Sequence, residues 1–290
     1  MAEQDEANNH QAINHPATHP SSRGLEYWVN FLSNASIPVL KHTSREMIKL
    51  QQEEDSVSAR EITMMVIPDP MMTLRLLRYS QTHKHKSQLQ DMVLVEQAIM
   101  MMGMTTFFSK LAPQVLVEDM LKGNITALTR LLKHVHRSHR AARYAAEWAA
   151  LMYDFHAEEV MVATLLHDLA EMLMWCFAPV EMNRIHDMQA ADKALRSSSA
   201  QEQVLGFKLQ DLQKELVVRW ELPPLLARLI HEGASSDRRI KNVTLAVNFA
   251  RHSANGWDDA ALPDDYRDIA ELLRVDTVKV MRLVGAPTAE

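Results

Sequence analysis

The sequence predicts an all-α protein, and its composition and motifs carry that prediction. Only 7 of the 290 residues are glycine, 19 are methionine, and β-branched residues rarely form runs bounded by turn signals. Methionine, leucine, alanine, glutamate and arginine lose little side-chain entropy in a helix, so this composition favours helices nearly throughout. Neither G-x-G-x-x-G nor G-x-x-x-x-G-K-[ST] occurs, which argues against a nucleotide site built on a glycine-rich turn.

The chain opens with a polar segment that we expect to be disordered. Residues 1–23 combine acids, amides, histidines and prolines with little apolar area to offset the entropy of ordering. The segment also lacks the apolar core of a signal peptide. No later stretch offers about 20 uninterrupted apolar residues for a membrane span. We therefore expect a soluble, cytoplasmic protein with no membrane partner.

Two local signals place helix starts in the first half of the chain. Ser58 and Glu61 have the S-x-x-E spacing of a capping box, which predicts a helix running to about Val66. Asp69 then precedes Pro70 as an N-cap followed by a proline at the first helical position, where the missing N–H costs nothing. We expect the methionine runs at 64–65, 71–72 and 100–102 to fill the core.

Apolar spacing predicts the helices that follow. One stripe ends at Gly103 and consists of Val95, Ala98, Ile99 and Met102. The longest clean stripe, expected to pack against the helix that carries His167, consists of Ala141, Tyr144, Ala145, Trp148 and Met152. Composition changes between these stripes, near residues 120–128. We therefore divide the ordered chain into an N-terminal helical subdomain, residues 24–124, and a second helical subdomain, residues 125–290.

Charge and cysteine content restrict the partners. The formal net charge is -6, so the chain has no general attraction to phosphate backbones and nucleic acid is not an expected partner. The single cysteine, Cys176, lies in the apolar run LMWCF, which is typical of a buried thiol and excludes an intrachain disulfide.

The segment VATLLHDLAEMLMW, residues 162–175, places His167 beside Asp168 within an apolar stretch, with Glu171 one turn later. Two interpretations are open: a metal site for hydrolysis, or a polar pair within a helix bundle. A divalent metal that activates water needs several deprotonated ligands, so the missing ligands would have to come from other helices.

At this point the sequence resembles the HD superfamily of metal phosphohydrolases and, within it, the HDOD output domains of bacterial signalling proteins. The resemblance covers roughly Trp28 to Leu283 and lies in the order and spacing of its motifs. These motifs are Ile37-Pro38, SAREITMMVIPDPMMTLRLLRYSQT, VEQAIMMMG, ATLLHDLAEMLM and ELVVRWELPPLLARLIHEG, with Gln81-Thr82 in place of the usual Asn-Ser. The resemblance implies an HD-like bundle of two packed helical subdomains.

The resemblance also implies where the ligands of a catalytic HD site would lie. The first histidine of that pattern falls at Arg137, a later histidine at Leu209 and the late aspartate at Arg251. A guanidinium cannot ligate a metal, because it has no free acceptor. We therefore expect a degenerate site with no catalytic residues, no metal and no cofactor.

What remains of the pattern is the pair His167 and Asp168, together with His231 as a further candidate. We interpret the pair as a metal-site remnant retained as a polar pair. It would be hydrogen-bonded at a helix junction or ion-paired with one of the two arginines. A register shift to His136 or His139 would restore a ligand. The alternative, a metal-dependent nucleotide or cyclic-dinucleotide phosphodiesterase, therefore stays open.

The leading functional prediction is a non-catalytic signalling or regulatory module that binds a protein partner, with a small ligand as the alternative. The candidate binding surface lies where the subdomains meet and comprises Asp69, Lys84 and Lys86. Clefts between domains are where ligands and partners most often dock. The competing interpretation is that the basic loop around Lys84 is simply solvated.

Overall fold

A computed structural model of the protein describes residues 23–54, 56–83, 95–232 and 237–287. Over these ranges the chain forms seventeen α-helices and no strand, which confirms the all-α prediction. The helices are α1 Leu25–Asn34, α2 Lys41–Gln52, α3 Ala59–Val66, α4 Pro70–Thr82, α5 Val95–Met102, α6 Met104–Lys110, α7 Val117–Met120, α8 Ile125–Leu151, α9 Ala157–Leu165, α10 Leu169–Phe177, α11 Pro179–Ala191, α12 Ser197–Leu205, α13 Leu209–Arg219, α14 Pro224–Glu232, α15 Arg238–His252, α16 Leu262–Leu273 and α17 Thr277–Val284. The predicted disordered segment, residues 1–23, lies outside the described residues except for its last residue.

The caps predicted in the first half are confirmed. The backbone N–H of Glu61 donates to Ser58 Oγ at 3.2 Å, and the Ser58 N–H donates to Glu61 Oε2 at 2.8 Å. This reciprocal pair satisfies two donors that a helix start leaves unpaired. Helix α3 ends at Val66, as predicted, and Gly103, at a φ of 78°, separates α5 from α6.

Asp69 caps α4 but does not belong to a binding surface. Its Oδ1 accepts from the backbone N–H groups of Met71 and Met72 at 3.0 and 3.1 Å, and its Oδ2 accepts from Leu40 N–H at 2.7 Å. The residue is 0% exposed. Burial raises the pKa of this carboxyl group, and the hydrogen bonds oppose that shift. The prediction that Asp69 faces a partner is wrong, because its buried carboxylate accepts hydrogen bonds from the start of α4 and from Leu40, which precedes α2.

The long helix α8 forms the spine of the second half. Of the predicted stripe, Ala141, Tyr144, Ala145 and Trp148 are buried, whereas Met152, which follows the last residue of α8, is half-buried. Helix α8 packs mainly against α9 and α15. The Tyr144 and Phe249 rings meet edge to face with centroids 5.1 Å apart. This stripe therefore holds α8 in the position from which it reaches the HD motif.

The predicted boundary near residues 120–128 falls at the turn between α7 and α8, where Asn124 Oδ1 accepts from Ala127 N–H at 3.1 Å. The two halves nevertheless share one buried apolar cluster. Helix α1 packs on α13 across this boundary, and Cys176 of α10 lies 3.8 Å from the sulfur of Met71 in α4. The thiol is buried, as predicted, and burial raises its pKa.

The methionine runs divide between the core and the surface. Met71 and Met72 are fully buried, as predicted for core filler, whereas Met64, Met100 and Met101 are exposed to 69%, 59% and 48%. The prediction of core packing is therefore wrong for those three residues. Adjacent positions on a helix point about 100° apart, so a run of two or three methionines cannot place all of them inward.

One stretch of the described residues, Ala157–Phe177, is long and apolar enough to cross a membrane by length and composition. It comprises α9, α10 and the junction between them. Most of it is buried within the bundle, so its apolarity is accounted for by core packing.

Candidate functional site

The HD motif lies at a break between two helices and not within one helix. Helix α9 ends at Leu165 and α10 starts at Leu169, and short turn hydrogen bonds join them: His167 N–H to Thr164 O at 3.3 Å and Leu169 N–H to Leu166 O at 3.2 Å. Adjacent side chains on a continuous helix would diverge by about 100°. The break instead brings His167 Nδ1 to 2.7 Å from Asp168 Oδ1.

The break is held by one side chain from α13. Gln213 Oε1 accepts from the Ala170 N–H at 2.7 Å, and Gln213 Nε2 donates to the Leu166 carbonyl at 3.1 Å. Gln213 is 5% exposed. It therefore satisfies a donor and an acceptor on either side of the break that a continuous helix would have paired internally.

His134 of α8 stands between the two carboxyl groups of the motif. Its Nδ1 lies 3.1 Å from Glu171 Oε1 and its Nε2 lies 3.5 Å from Asp168 Oδ2. His134 is 3% exposed, and Glu171 also accepts from Trp175 Nε1 at 3.4 Å. The buried histidine therefore has one carboxylate next to each of its two ring nitrogens.

The charges of this cluster stabilise one another. Burial alone would lower the pKa of His134, but the carboxylates of Glu171 and Asp168 outweigh it and raise that pKa to about 9. Burial would raise the pKa of Asp168, but the charge of His167 and the contact with His134 hold it well below its usual range. The pKa of Glu171 is lowered as well, because His134 overcomes the effect of burial. At neutral pH the cluster therefore contains an imidazolium between two carboxylates.

The motif opens into a cavity of about 560 Å³. His167, Asp168 and Glu171 form one part of its wall, and Arg137 of α8 and Arg251 of α15 form another. The guanidinium of Arg137 approaches His134 Nδ1 to 3.1 Å, and Arg251 donates to Asn248 Oδ1 at 2.9 Å. The lining is completed by Ala170, His186, Gln189, Ser197, Gln201, Leu209, Gln210, Gln213, Leu226, Leu229, Val247 and Asn248.

The residues around this cavity do not fit a divalent metal. Throughout the described ranges, no group of three or more His, Cys, Asp or Glu side chains is arranged to hold a metal ion. Both ring nitrogens of His134 face carboxylates, and the guanidinium groups of Arg137 and Arg251 offer only donors. The cavity instead presents cations where a metal centre would need ligands.

The structure brings together some of the predicted residues and separates others. Arg137 and Arg251 both reach the cavity of His167 and Asp168, although neither forms an ion pair with Asp168 in the described structure. His136 and His139 do not line it, so neither takes the place of a missing ligand. Lys84, Lys86 and the side chain of His231 lie outside the described residues, and their predicted roles stay predictions.

His134 and Gln213 were missed by sequence reasoning. His134 could have been found by extending the buried stripe of α8 backwards, because it lies seven residues before Ala141 and both belong to the buried face. Gln213 carried no comparable signal. A glutamine on a helix is ordinarily solvated, and its two backbone partners are distant in sequence.

Comparison with known proteins identifies the fold. The sequence model of the HDOD domain matches residues 37–235. The MmoQ response regulator of Methylococcus capsulatus superposes with a TM-score of 0.66 at 18% identity, over 87% of this chain and 98% of that chain. A virulence factor from Campylobacter jejuni superposes with a TM-score of 0.65 at 16% identity, over 91% and 92% of the two chains. No curated protein matches the sequence.

Proposed function

Because the chain belongs to the HDOD domain family, we propose that it is a non-catalytic regulatory module of bacterial signal transduction, which acts by binding a protein partner or a ligand. The observation that carries this proposal is the composition of the cavity wall. His134 contacts both carboxylates that could have held a metal, and Arg137 and Arg251 supply cations beside them. A module without a hydrolytic centre can transmit a signal only through differential binding.

Two further points support this proposal. MmoQ, which shares the fold, is named a response regulator, and a regulatory role is in keeping with that name. A cytoplasmic location is part of the proposal, because among the described residues the apolar stretch long enough to cross a membrane is mostly buried in the core. The net charge of -6 disfavours nucleic acid as the partner.

The second candidate is a metal-dependent phosphohydrolase with a degenerate site. What favours it is the position of His167, Asp168 and Glu171 together in the wall of one cavity. Hydrolysis would require these groups to release the protonated His134 and accept a cation beside two guanidinium groups. The Coulomb repulsion and the lost internal contacts both oppose that exchange.

Turnover measurements separate the two candidates. Purified protein should hydrolyse neither bis-p-nitrophenyl phosphate nor a panel of nucleotides and cyclic dinucleotides, with Mn²⁺, Fe²⁺ or Mg²⁺ added. We expect the rates of the wild type, of His167→Ala and of His42→Ala to be equal to the blank. His42→Ala is the control, because His42 is exposed on α2 and does not line this cavity. Turnover that His167→Ala abolishes and His42→Ala retains would establish the phosphohydrolase instead.

A further inference from the structure

The cavity beside the HD motif has the features of an anion site that works without a metal. We infer that it binds a small organic oxyanion, a phosphate or carboxylate compound, through the guanidinium groups of Arg137 and Arg251. This inference deepens the proposed function, on which it rests, by naming the class of ligand that the regulatory module would sense. The volume of the cavity, about 560 Å³, is within the range of pockets that bind small organic molecules.

The first argument is the charge balance of the wall. The carboxylates of Asp168 and Glu171 are already engaged by His134 and His167 at 2.7 to 3.5 Å. Within the described parts of the chain, neither Arg137 nor Arg251 forms a salt bridge with a carboxylate. The carboxylates of the wall are therefore paired with histidines, and the two guanidinium groups line the cavity without a direct carboxylate partner. The charge of Arg137 reaches Glu171 only at longer range, where it lowers the pKa of that carboxyl group.

The second argument is the contact between Arg137 and His134. The Nδ1 of His134 lies 3.1 Å from Glu171 Oε1 and also 3.1 Å from Arg137 Nη2. When this nitrogen donates its proton to Glu171, it cannot also accept a hydrogen bond from the guanidinium. Arg137 Nη2 then lacks an acceptor at this nitrogen. An oxyanion in the cavity would supply acceptors for its donors.

The third argument is the rest of the lining. Gln189, Gln210 and Asn248 add amide groups, and Leu209, Leu226 and Val247 add apolar surface to the same cavity. Such a combination suits an organic molecule with one charged end better than a free inorganic ion, because ligand pockets pair a few fixed polar groups with apolar walls. Guanidinium groups bind phosphate and carboxylate oxygens bidentately, which fixes the orientation of that charged end.

Calorimetric titration of the full chain in EDTA tests the inference. The probes are AMP, pyrophosphate and citrate, with adenosine as the uncharged counterpart of AMP. We expect at least one of the three anions to bind, no binding of adenosine, and weaker binding at high salt because charge is screened. Arg251→Gln and Arg137→Gln should each weaken the binding of the anion about tenfold or more, because each removes one charge-assisted contact.

The control is Arg143→Gln, an exposed arginine on α8 that does not line the cavity, and it should bind as the wild type does. Circular dichroism establishes that each variant is folded, and the exposed position of Arg251 makes its variant decisive if Arg137→Gln unfolds. Absence of binding by every anion, binding unchanged in Arg251→Gln, or binding that requires a divalent metal would each overturn the inference. Absence of anion binding, or binding unchanged in Arg251→Gln, would leave the proposed regulatory function standing, because neither result depends on turnover.

Discussion

At the scale of single residues, His134 decides the chemistry of the site. It is the side chain that touches both carboxylates, with Glu171 Oε1 at 3.1 Å and Asp168 Oδ2 at 3.5 Å. Removing either carboxylate would leave a buried cation partly unpaired, and removing the histidine would leave two carboxylates facing each other. Because each charge is compensated within the cluster, the arrangement is stable without an added ion.

The stability of the protein should therefore depend on pH through His134. Its pKa is raised from an ordinary 6.5 to about 9, so the protonated form stabilises the fold fully below pH 6.5 and this contribution is lost as the pH rises through about 9. From the size of that shift the contribution is on the order of 3 kcal/mol. We expect the free energy of unfolding of wild type to exceed that of His134→Gln at pH 6.5, and the difference to shrink by pH 9.5. Urea titrations at both pH values check this, and a constant difference would contradict it.

At the scale of secondary structure, the junction between α9 and α10 positions the motif. The apolar stretch from Ala157 to Phe177 could have formed one continuous helix, but the chain breaks at Leu166, His167 and Asp168. Gln213 reaches both sides of the break from α13, with bonds of 2.7 and 3.1 Å. The pairing of His167 with Asp168 therefore depends on a side chain of another helix.

Gln213→Leu should loosen this junction. The substitution introduces an apolar side chain of similar size and leaves the buried Ala170 N–H without a partner, at a cost of about 1–3 kcal/mol. The Leu166 carbonyl loses the Gln213 amide and keeps only the Leu169 N–H. The control Gln210→Leu lies on the same helix and is exposed, so it should be nearly neutral. Hydrogen exchange of the Ala170 amide should be faster only in Gln213→Leu. Equal protection in both variants would show that the junction does not rely on Gln213.

At the scale of the whole molecule, the two halves are joined by a shared core. Helix α1 begins the described chain yet packs on α13 of the second half, and its Trp28, Val29 and Leu32 are buried. Phe31 meets Phe177 of α10 edge to face at 5.4 Å between centroids, and the Arg78 guanidinium lies 5.1 Å from the Trp220 ring centroid. Contacts of this kind couple the halves, because neither can unfold without exposing apolar surface of the other.

The two halves should therefore unfold in one transition. Trp28→Ala removes a large buried side chain and should lower the free energy of unfolding by about 3–5 kcal/mol. The control Tyr27→Ala, at a residue that is 40% exposed, should cost much less. In Trp28→Ala, circular dichroism and tryptophan fluorescence should still give coincident denaturation curves. A second transition that keeps the wild-type midpoint would show that the subdomains are independent.

The helical class, the caps at Ser58 and Asp69 and most of the buried stripe of α8 follow from the amino-acid sequence, because capping signals are local and apolar residues on one helix face repeat every 3.6 residues. The resemblance to HDOD domains also placed Arg137 and Arg251 at the HD motif, and both line that cavity. The helix break at the HD pair, the contact of His134 with both carboxylates and the burial of Asp69 came to light only in the folded chain. These properties depend on which distant side chains fill the space around a residue. A polar residue in the sequence carries no mark of whether its partner will be water, a backbone amide or a charge from another helix.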